Sequence, residues 1–230
     1  MRSIGLIGGT SWRSTAHYYA RINTAINEHF GDNTNPPLFI ANVDQASIHR
    51  LQLAGDWEGV ANLLGDAAER LERAGVEALM FCASTPHKVY EDVARRVSPP
   101  FLHIGDAIGE GLRSMGVATA GFIGTRFSME GNFVTERIES AGVSVLVPRD
   151  PSTLKELQRI VREELSLGEC MEASRNFVLD VLDDLQSAGA DGVVLGCTEF
   201  PAMLEGVAPK VRTFDSLELH ASAAARFILS

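Results

Sequence analysis

Leu71-Glu72-Arg73-Ala74-Gly75-Val76-Glu77 has a counterpart 114 residues later (185 − 71) in Leu185-Gln186-Ser187-Ala188-Gly189-Ala190-Asp191. The leucine, the alanine, the glycine and the final acid recur at the same offset, and each stretch leads into a short apolar run. A second pair, Gly5-Leu6-Ile7-Gly8-Gly9 and Gly121-Phe122-Ile123-Gly124-Thr125, recurs in the same order at an offset of 116 (121 − 5). Self-similarity at a fixed spacing indicates a repeated structural unit, so the sequence predicts two related halves.

Short apolar runs alternate with longer amphipathic stretches along the whole chain. Nearly continuous hydrophobicity is typical of parallel strands covered on both faces, and strands that alternate with helices form right-handed βαβ units. The predicted strands are Ser3–Gly8, Leu38–Val43, Val76–Cys82, Phe101–Ile104, Ala118–Gly124, Val143–Val147, Gly192–Gly196 and Val211–Phe214. The predicted helices are Ser14–Phe30, Asp56–Ala74, Pro86–Val97, Asp106–Met115, Met129–Ala141, Ser152–Leu165, Met171–Ala188 and Ser216–Ile228. We therefore expect an α/β fold of two pseudo-symmetric, open parallel sheets of the flavodoxin or Rossmann type. Ligands of such sheets bind at the carboxyl ends of the strands, which predicts an active site between the halves.

The predicted boundaries follow from the repeat. The chain crosses between the halves near Ser98-Pro99-Pro100. Residues 1–99 together with 211–230 form the first predicted half, and residues 100–210 form the second. The last helix remains once the second half is complete, so we expect it to pack back on the first.

Charge and cysteine content narrow the class of protein. The chain of 230 residues carries 20 Lys and Arg against 30 Asp and Glu, a net charge of −10. Such a chain has no basic field for a nucleic acid or an anionic membrane, so we expect neither as a partner.

Three separated cysteines without a C-x-x-C spacing argue against a disulfide framework and favour a reducing compartment. With no signal-peptide pattern and no apolar run near the roughly 18 residues that span a bilayer, we expect a cytoplasmic protein.

Cys197 follows the apolar run 193–196 and precedes Thr198-Glu199-Phe200-Pro201, where the proline suits the first turn of a short helix. A thiol at a helix N-terminus has a lowered pKa, which would make Cys197 a base or nucleophile near neutral pH. The alternative is a buried cysteine with only a structural role.

The matching strand end in the first half reads Ala83-Ser84-Thr85-Pro86-His87. At the constant offset, Ala83 corresponds to Cys197, Ser84 to Thr198 and Thr85 to Glu199. Hydroxyls and backbone N–H groups at the start of a helix bind carboxylates, so one anion site in each half would suit a small dicarboxylate or an amino acid. The alternative is that Ser84 and Thr85 are ordinary N-caps.

The remaining motifs give weaker signals. Gly8-Gly9-Thr10-Ser11-Trp12 resembles a phosphate-binding turn but matches neither common nucleotide motif, and its glycines would allow a small ligand to approach. The six histidines show no metal-ligand spacing, so we expect no metal and place most of them at the surface or in caps. The exception is His87, in the first turn of a helix at the predicted site.

These residues together resemble the aspartate/glutamate racemase family of pyridoxal-phosphate-independent amino-acid racemases. The motifs that carry the resemblance are Ile4–Thr15 with Tyr18-Tyr19, Ala83–Val89, Gly124–Met129, Gly196-Cys197-Thr198-Glu199, and Phe214-Asp215 with His220. The resemblance implies two α/β halves and a cofactor-independent, metal-independent reaction. Two acid/base residues, usually both cysteines, would face the substrate α-carbon from opposite sides. It also implies a homodimer.

The resemblance implies catalytic and substrate-binding roles for particular residues, and at one catalytic position this sequence departs from the family pattern. The catalytic positions are Cys197 and Ala83, the latter marking a missing partner because alanine transfers no proton, with Thr85 and His87 beside it. Cys82 is one residue out of register and should point into the core. The substrate-binding residues that the resemblance implies are Thr10, Gln52, Ser84, Thr85, Thr125, Ser128, Thr198 and Glu199. The family asparagine and methionine are replaced by Ser84 and Thr10, and Ser166 stands where some aspartate-specific members have lysine.

Three functions follow from this pattern. The first is a racemase for aspartate, glutamate or a related amino acid, impaired or one-sided because of Ala83. Its second face would be served by Thr85, His87, a bound water or a displaced Cys82. The second is a single-cysteine lyase, decarboxylase or isomerase; arylmalonate decarboxylase of the same superfamily works with one cysteine. The third is an inactive protein that binds a small carboxylate.

Overall fold

The computed structural model describes all 230 residues and divides into two compact units. Unit 1 comprises Met1–His103 and His220–Ser230, and unit 2 comprises Ile104–Leu219. Each unit contains one parallel β-sheet with its own hydrophobic core, which confirms the predicted α/β class. No helix combines the length and the hydrophobicity that crossing a bilayer requires.

The sheet of unit 1 has the order β2-β1-β3, with every pair parallel. Its strands are β1 (Ile4–Gly8), β2 (Leu38–Asn42) and β3 (Ala78–Phe81). The strand predicted over Phe101–Ile104 does not form, because Phe101 makes only a single parallel bridge to Leu79 and Ile104 already begins a helix. The helices are α1 (Trp12–Phe30), α2 (Gln45–Ala54), α3 (Trp57–Arg73) and α4 (Tyr90–Ala94), with a 3₁₀ helix at Thr85–Val89.

The sheet of unit 2 has the order β5-β4-β6-β7, again all parallel. Its strands are β4 (Thr119–Ile123), β5 (Ser144–Leu146), β6 (Gly192–Leu195) and β7 (Thr213–Asp215). The helices are α5 (Ile104–Ser114), α6 (Arg126–Glu130), α7 (Thr135–Ser140), α8 (Pro151–Glu163), α9 (Glu172–Ser187) and α10 (Phe200–Met203), with a 3₁₀ helix at Leu165–Leu167. The final helix, α11 (Ser216–Leu229), begins in unit 2 and continues into unit 1.

The internal repeat is visible in the packing of each unit. A Cβ built on Gly5 would lie 3.2 Å from Cβ of Leu71, and one built on Gly121 would lie 3.2 Å from Cβ of Leu185. In both units a strand glycine therefore lets the last turns of a long helix approach the sheet. The same leucine and glycine positions define the sequence repeat.

The repeat also aligns the two strand ends. The backbone N–H of Cys82 donates to a β1 carbonyl at 3.0 Å, and the backbone N–H of Gly196 donates to a β4 carbonyl at 2.7 Å. Ala83 and Cys197 therefore each lie two residues beyond the end of an equivalent strand. This is the correspondence that the sequence offset predicts.

Side-chain caps fix where several helices begin. The carboxylate of Asp44 accepts from the N–H of Ser47 at 2.9 Å, and those of Asp56 and Asp150 each accept at 2.8 Å from the N–H three residues on. Such a cap satisfies an N–H group that the helix itself leaves without a partner. The cap at Asp44 starts α2, a helix that the sequence analysis did not predict.

The predicted boundaries differ from the observed units in two places. The prediction placed 211–230 in the first half, but β7 pairs with β6, so strand hydrogen bonding keeps 211–219 in unit 2. Residues 100–103 lie in unit 1, held there by the Phe101 bridge. The end of α11 lies in unit 1, where the carbonyl of Ile228 accepts from the N–H of Arg2 at 2.9 Å.

Two predicted helices are broken in the structure. The helix expected over 86–97 begins as the 3₁₀ helix Thr85–Val89 and becomes α-helical only at Tyr90. The helix expected over 129–141 is split into α6 and α7, because Gly131 takes extended dihedral angles (φ −99, ψ 132). Apolar spacing alone did not show either break.

Candidate functional site

Cys197 is the second residue after β6 and contacts a carboxylate two positions further on. It is 9% exposed, and its Sγ lies 3.0 Å from Oε2 of Glu199. The hydroxyl of Thr198 donates to the same Oε2 at 2.8 Å. One carboxylate oxygen thus accepts from both the thiol and the hydroxyl.

The position of the thiol depends on close backbone packing before it. A Cβ on Gly196 would lie 2.3 Å from the Phe122 ring and 2.8 Å from the Ile123 carbonyl, so only glycine fits there. The N–H of Phe200 then donates to the Cys197 carbonyl at 3.1 Å, which closes the turn into α10. Glycine followed by a tight turn therefore places the thiol at the carboxyl end of the strand.

The protonation state of Cys197 differs from the expectation. Burial, and after it the negative charge of Glu199, raise the pKa of the thiol well above its usual range. Hydrogen bonds from the backbone at Glu199 and Thr198 act in the opposite direction but are smaller. The predicted lowering by the helix terminus is wrong, because α10 has only four residues and is outweighed by burial and the adjacent carboxylate. At rest Cys197 is a thiol.

Thr125 and Ser128 lie at the carboxyl end of β4, where α6 begins. The Thr125 side chain accepts from the Ser128 N–H at 3.3 Å, and the Ser128 hydroxyl donates to the Thr125 carbonyl at 2.9 Å. A Cβ on Gly124 would lie 2.5 Å from Oγ of Ser128. Ser128 is therefore a buried residue whose hydroxyl stabilises the turn, whereas Thr125 is half-buried.

The strand end of unit 1 is organised by His87. Nδ1 of His87 lies 3.1 Å from the Ala83 carbonyl oxygen and 3.1 Å from the Ser84 carbonyl oxygen. Carbonyl oxygens only accept, so the proton of this neutral ring is on Nδ1 and the ring donates to both. Burial and the two neighbouring histidines lower the pKa of His87 well below its usual range. Ser84 and Thr85 are buried in the turn that His87 holds.

Three histidines of unit 1 are packed together, and the sequence analysis placed only His87 at the predicted site. The ring of His87 lies 4.3 Å from that of His103 and 6.0 Å from that of His220, centroid to centroid. Both His103 and His220 are buried, so their assignment to the surface or to caps is wrong. Burial lowers the pKa of His220 to about 4. Only His103 directly follows two apolar residues, Phe101 and Leu102, and such a signal does not distinguish a buried ring from an exposed one.

The other residues proposed from sequence in the first half belong to unit 1. Cys82 is buried, and burial raises the pKa of its thiol, so it is a core residue and not an acid/base group. Gly9 has a φ of +93 and lies so close to Val43 that a Cβ would be 2.0 Å from its carbonyl oxygen. Thr10, half-buried, follows this turn. Nε2 of Gln52, on α2, is buried and has no hydrogen-bond partner within the protein, which suits an acceptor such as a carboxylate oxygen.

Metal ligation finds no support in either unit. No three or more His, Cys, Asp or Glu side chains are grouped so that they could hold a metal ion.

Comparison with known proteins identifies relatives over nearly the whole chain. Residues 7–224 match the model of the family described as Asp/Glu/Hydantoin racemase. The crystal structure of a candidate Asp/Glu racemase from Yersinia pestis is 37% identical, has a TM-score of 0.91, and matches over 100% of both chains. That of an aspartate racemase homologue from Pyrococcus horikoshii is 35% identical with a TM-score of 0.82, again over 100% of both chains.

A glutamate racemase from Deinococcus radiodurans is a more distant relative. It is 25% identical over 149 residues, which cover 63% of this chain and 49% of that protein. The chain thus matches about half the length of this curated relative. The region that matches the family model, residues 7–224, includes both strand ends described above.

Proposed function

The chain belongs to the Asp/Glu/Hydantoin racemase family, and we propose that it is a cofactor-independent racemase for aspartate, glutamate or a related amino acid. The observation that carries the proposal is the contact between the Cys197 thiol and Glu199 at the carboxyl end of β6. A thiol with a carboxylate at 3.0 Å can both release and recover a proton.

The proposed reaction moves one proton at the α-carbon. The Cys197 thiolate takes the α-proton, an S–H bond forms, and the C–H electron pair passes to the substrate carboxylate as an enediolate. Return of a proton to the α-carbon completes the reaction, and its stereochemistry depends on the face that receives it. Hydrogen-bond donors near the substrate carboxylate lower the barrier by stabilising the enediolate. We assign this role to the hydroxyls of Thr198 and Ser84 and to the amide of Gln52.

In the proposed reaction, the second face of the α-carbon lacks a strong acid/base residue. The position equivalent to Cys197 holds Ala83, which has no exchangeable proton. Cys82 is a buried core residue, and Nδ1 of His87 is committed to two carbonyls. The hydroxyl of Thr85 and water are the remaining groups. We therefore propose that proton exchange on the Cys197 face is faster than inversion.

Deuterium exchange separates the two events. Each enantiomer of aspartate and of glutamate is incubated with the protein in deuterated water, with NMR for loss of the α-proton and chiral chromatography for inversion. We expect one enantiomer to acquire label faster than it inverts, and Cys197→Ala to abolish both processes. The matched control, Cys170→Ala, changes an exposed cysteine and should leave both unchanged. No label and no inversion with any of the four amino acids would overturn the proposal.

The absence of a second thiol at Ala83 favours a second function, that of a single-cysteine lyase or decarboxylase. A single protonated thiol facing a carbanion made by another step is the arrangement of a lyase or decarboxylase that delivers one proton. Release of carbon dioxide from an α-substituted malonate, lost in Cys197→Ala, would favour this function. Binding of a dicarboxylate with no turnover in either assay, unchanged by Cys197→Ala, would identify a binding protein.

We also propose a cytoplasmic homodimer that handles a D-amino acid. All three cysteines are free and Cys170 is exposed, which suits a reducing compartment.

The proposed dimer would form along the edge strand β2. This strand exposes Phe39 and Ile40 and carries no charged residue, so a second copy could pair with it. Sedimentation equilibrium tests this: we expect a dimer that Phe39→Glu dissociates, and a monomeric wild type would exclude it.

A further inference from the structure

The short helix that follows Cys197 is held at its far end by an arginine of another helix. Nε of Arg175, on α9, donates to the backbone carbonyl of Met203 at 2.8 Å. Met203 is the last residue of α10, which begins three residues after Cys197. From this contact we infer that Arg175 is a positioning residue, which fixes α10 and so holds the Cys197 thiol in place for proton transfer. The inference rests on the proposed role of Cys197 in the reaction.

A helix as short as α10 needs support from outside. It has four residues, Phe200–Met203, and a helix leaves its last four carbonyl groups without partners inside the helix. Arginine side chains can supply the donors that such carbonyls lack. A hydrogen bond from a charged donor is about twice as strong as one between neutral groups. The guanidinium of Arg175 therefore holds the end of α10 more firmly than a neutral donor would.

The hold on Met203 reaches Cys197 through a packed segment. The side chains of Phe200 and Met203 are fully buried, and the N–H of Phe200 donates to the Cys197 carbonyl at 3.1 Å. On the other side of Cys197, Gly196 packs against the Phe122 ring too closely for any side chain. Because a close-packed interior transmits strain, a displacement of Met203 moves the thiol as well.

The position of Arg175 is set in turn by a buried carboxylate. The side chain of Glu164 is 1% exposed, and a guanidinium nitrogen of Arg159 lies 2.8 Å from its Oε1. The same Oε1 accepts from the Ser174 hydroxyl at 2.7 Å, and Oε2 accepts from the Met171 N–H at 3.1 Å. A buried charge is stable where it is paired and hydrogen-bonded, as here. These contacts fix the start of α9, where Ser174 directly precedes Arg175.

A second contact of Arg175 is weaker. Its Nη2 lies 3.6 Å from Sγ of Cys170, an exposed residue. Sulfur is a weak acceptor, so we assign the positioning role to the bond with Met203. The two contacts can be separated, because Cys170→Ala removes only the second.

The internal repeat gives unit 1 a different arrangement. At the offset of 114, Ala61 corresponds to Arg175 (175 − 114), and alanine has no side-chain donor. The turn at Ala83 is held instead from within, by Nδ1 of His87. An arginine thus supports the strand-end turn of the unit that carries the thiol, and not that of the other unit.

Two substitutions of similar length test the role of Arg175. Arg175→Gln places an amide nitrogen at the position of Nε, whereas Arg175→Met places a methyl group there and removes the donor. Arg162→Met removes an exposed arginine of α8 and is the matched control. One assay is α-proton exchange in deuterated water, which gives kcat and KM. The other is timed iodoacetamide labelling of Cys197 and Cys82 without substrate.

Loss of the donor should slow the reaction without weakening substrate binding in proportion. Arg175→Met should lower kcat by about 10²-fold, the cost of a misplaced reacting group, and change KM by less than about threefold. It should speed labelling of Cys197 by about tenfold, because loss of a hydrogen bond from a charged group favours local opening, and leave Cys82 unchanged. Arg175→Gln should recover part of both effects. Arg162→Met and Cys170→Ala should match the wild type.

Three results would overturn the inference. The first is a kcat and a Cys197 labelling rate in Arg175→Met equal to those of Arg162→Met. The second is equal acceleration of labelling at Cys197 and Cys82, which indicates general destabilisation. The third is the same loss of kcat in Cys170→Ala. If Arg175→Met does not fold, Arg175→Gln takes its place, and labelling at both cysteines equal to that of Arg162→Met would contradict the role.

The labelling assay needs no substrate and so separates this inference from the proposed function. If the wild type exchanges the α-proton of no amino acid but Arg175→Met still exposes Cys197 selectively, the proposed function fails while the hold of Arg175 on the thiol stands. If exchange occurs and Arg175→Met leaves both kcat and labelling unchanged, the proposed function stands and the role of Arg175 fails.

Discussion

The phenolic hydroxyl of Tyr18 lies 2.9 Å from Nδ1 of His220, a residue 202 positions further along the chain. Nε2 of the same histidine lies 2.9 Å from the carbonyl oxygen of Leu102, which can only accept, so the ring proton is on Nε2. Tyr18 therefore donates to Nδ1. This chain of hydrogen bonds ties α11 to α1 and to the end of the unit 1 sheet.

Removing the Tyr18 hydroxyl should destabilise the protein. Tyr18→Phe leaves Nδ1 of a fully buried His220 without a donor, which costs about 1 to 3 kcal/mol. Urea unfolding measures the change in the free energy of unfolding. Tyr19→Phe, on the exposed neighbouring position, should change it by less than about 0.5 kcal/mol. Equal effects of the two substitutions would contradict this role of the bond.

Stability should fall as the solution becomes acidic. His220 is buried and neutral with a pKa lowered to about 4, whereas an unfolded histidine titrates near pH 6.5. Between these values the unfolded chain binds a proton that the folded chain does not, so the free energy of unfolding falls as pH drops from about 6.5 to about 4. His87, also buried with a lowered pKa, adds to the fall.

Unfolding measured from pH 7.5 to pH 4.5 tests this dependence. His220→Gln should have a shallower slope than the wild type, by up to about 1.4 kcal/mol per pH unit. The exposed His17→Gln is the control and should keep the wild-type slope. An unchanged slope in His220→Gln would show that other groups determine the acid sensitivity.

His87 should act through Nδ1, as a residue that holds the turn 83–85. Asparagine places an amide nitrogen near the Nδ1 position of the replaced ring, whereas glutamine places it near Nε2. We expect His87→Asn to keep most of kcat and His87→Gln to lose about 10²-fold, the cost of a misplaced turn. Neither should alter the pH profile, because His87 stays neutral. Equal losses together with a vanished limb of the pH profile would instead indicate an acid/base role.

Ala83→Cys should increase inversion more than exchange. It places a thiol at the position that corresponds to Cys197, which under the proposed function would supply a proton donor on the second face. We expect the rate of racemisation, followed by circular dichroism, to rise by 10²-fold or more, as for a newly positioned acid. Ala83→Ser is the matched control, since its hydroxyl is a far weaker acid. Similar rates in the two variants would show that the second face is limited elsewhere.

The three cysteines should react with iodoacetamide in an order set by exposure. Cys170 is exposed, while Cys197 and Cys82 are buried with raised pKa values, so alkylation at neutral pH should begin at Cys170 and reach Cys82 last. Peptide mass spectrometry after timed quenching gives the order, and all three should react alike in urea. Rapid labelling of Cys197 at neutral pH would mean that it rests as a thiolate.

The sequence predicted much of the fold because its signals are local. Each half repeats a helix end, a glycine and a buried strand within about a dozen residues, and that spacing alone aligns Ala83 with Cys197. Short continuous apolar runs predicted eight strands, and the structure contains seven of them, because a strand covered on both faces must be apolar throughout. The eighth, Phe101–Ile104, is reduced to a single bridge at Phe101. The missed helix α2 depends on the cap at Asp44, and the break between α6 and α7 depends on the backbone conformation of Gly131. Hydrophobic spacing contains no information on either.

What the sequence by itself determined is the duplication, the strand ends and the residues placed there. Tertiary structure decided their state: that His103 and His220 are buried beside His87, and that Cys197 is a protonated thiol facing Glu199. The physical reason is that a pKa depends on burial and on the nearest charge, which are set by folding in three dimensions. The sequence motif identified Cys197, and the packing around its side chain determined that the thiol is protonated.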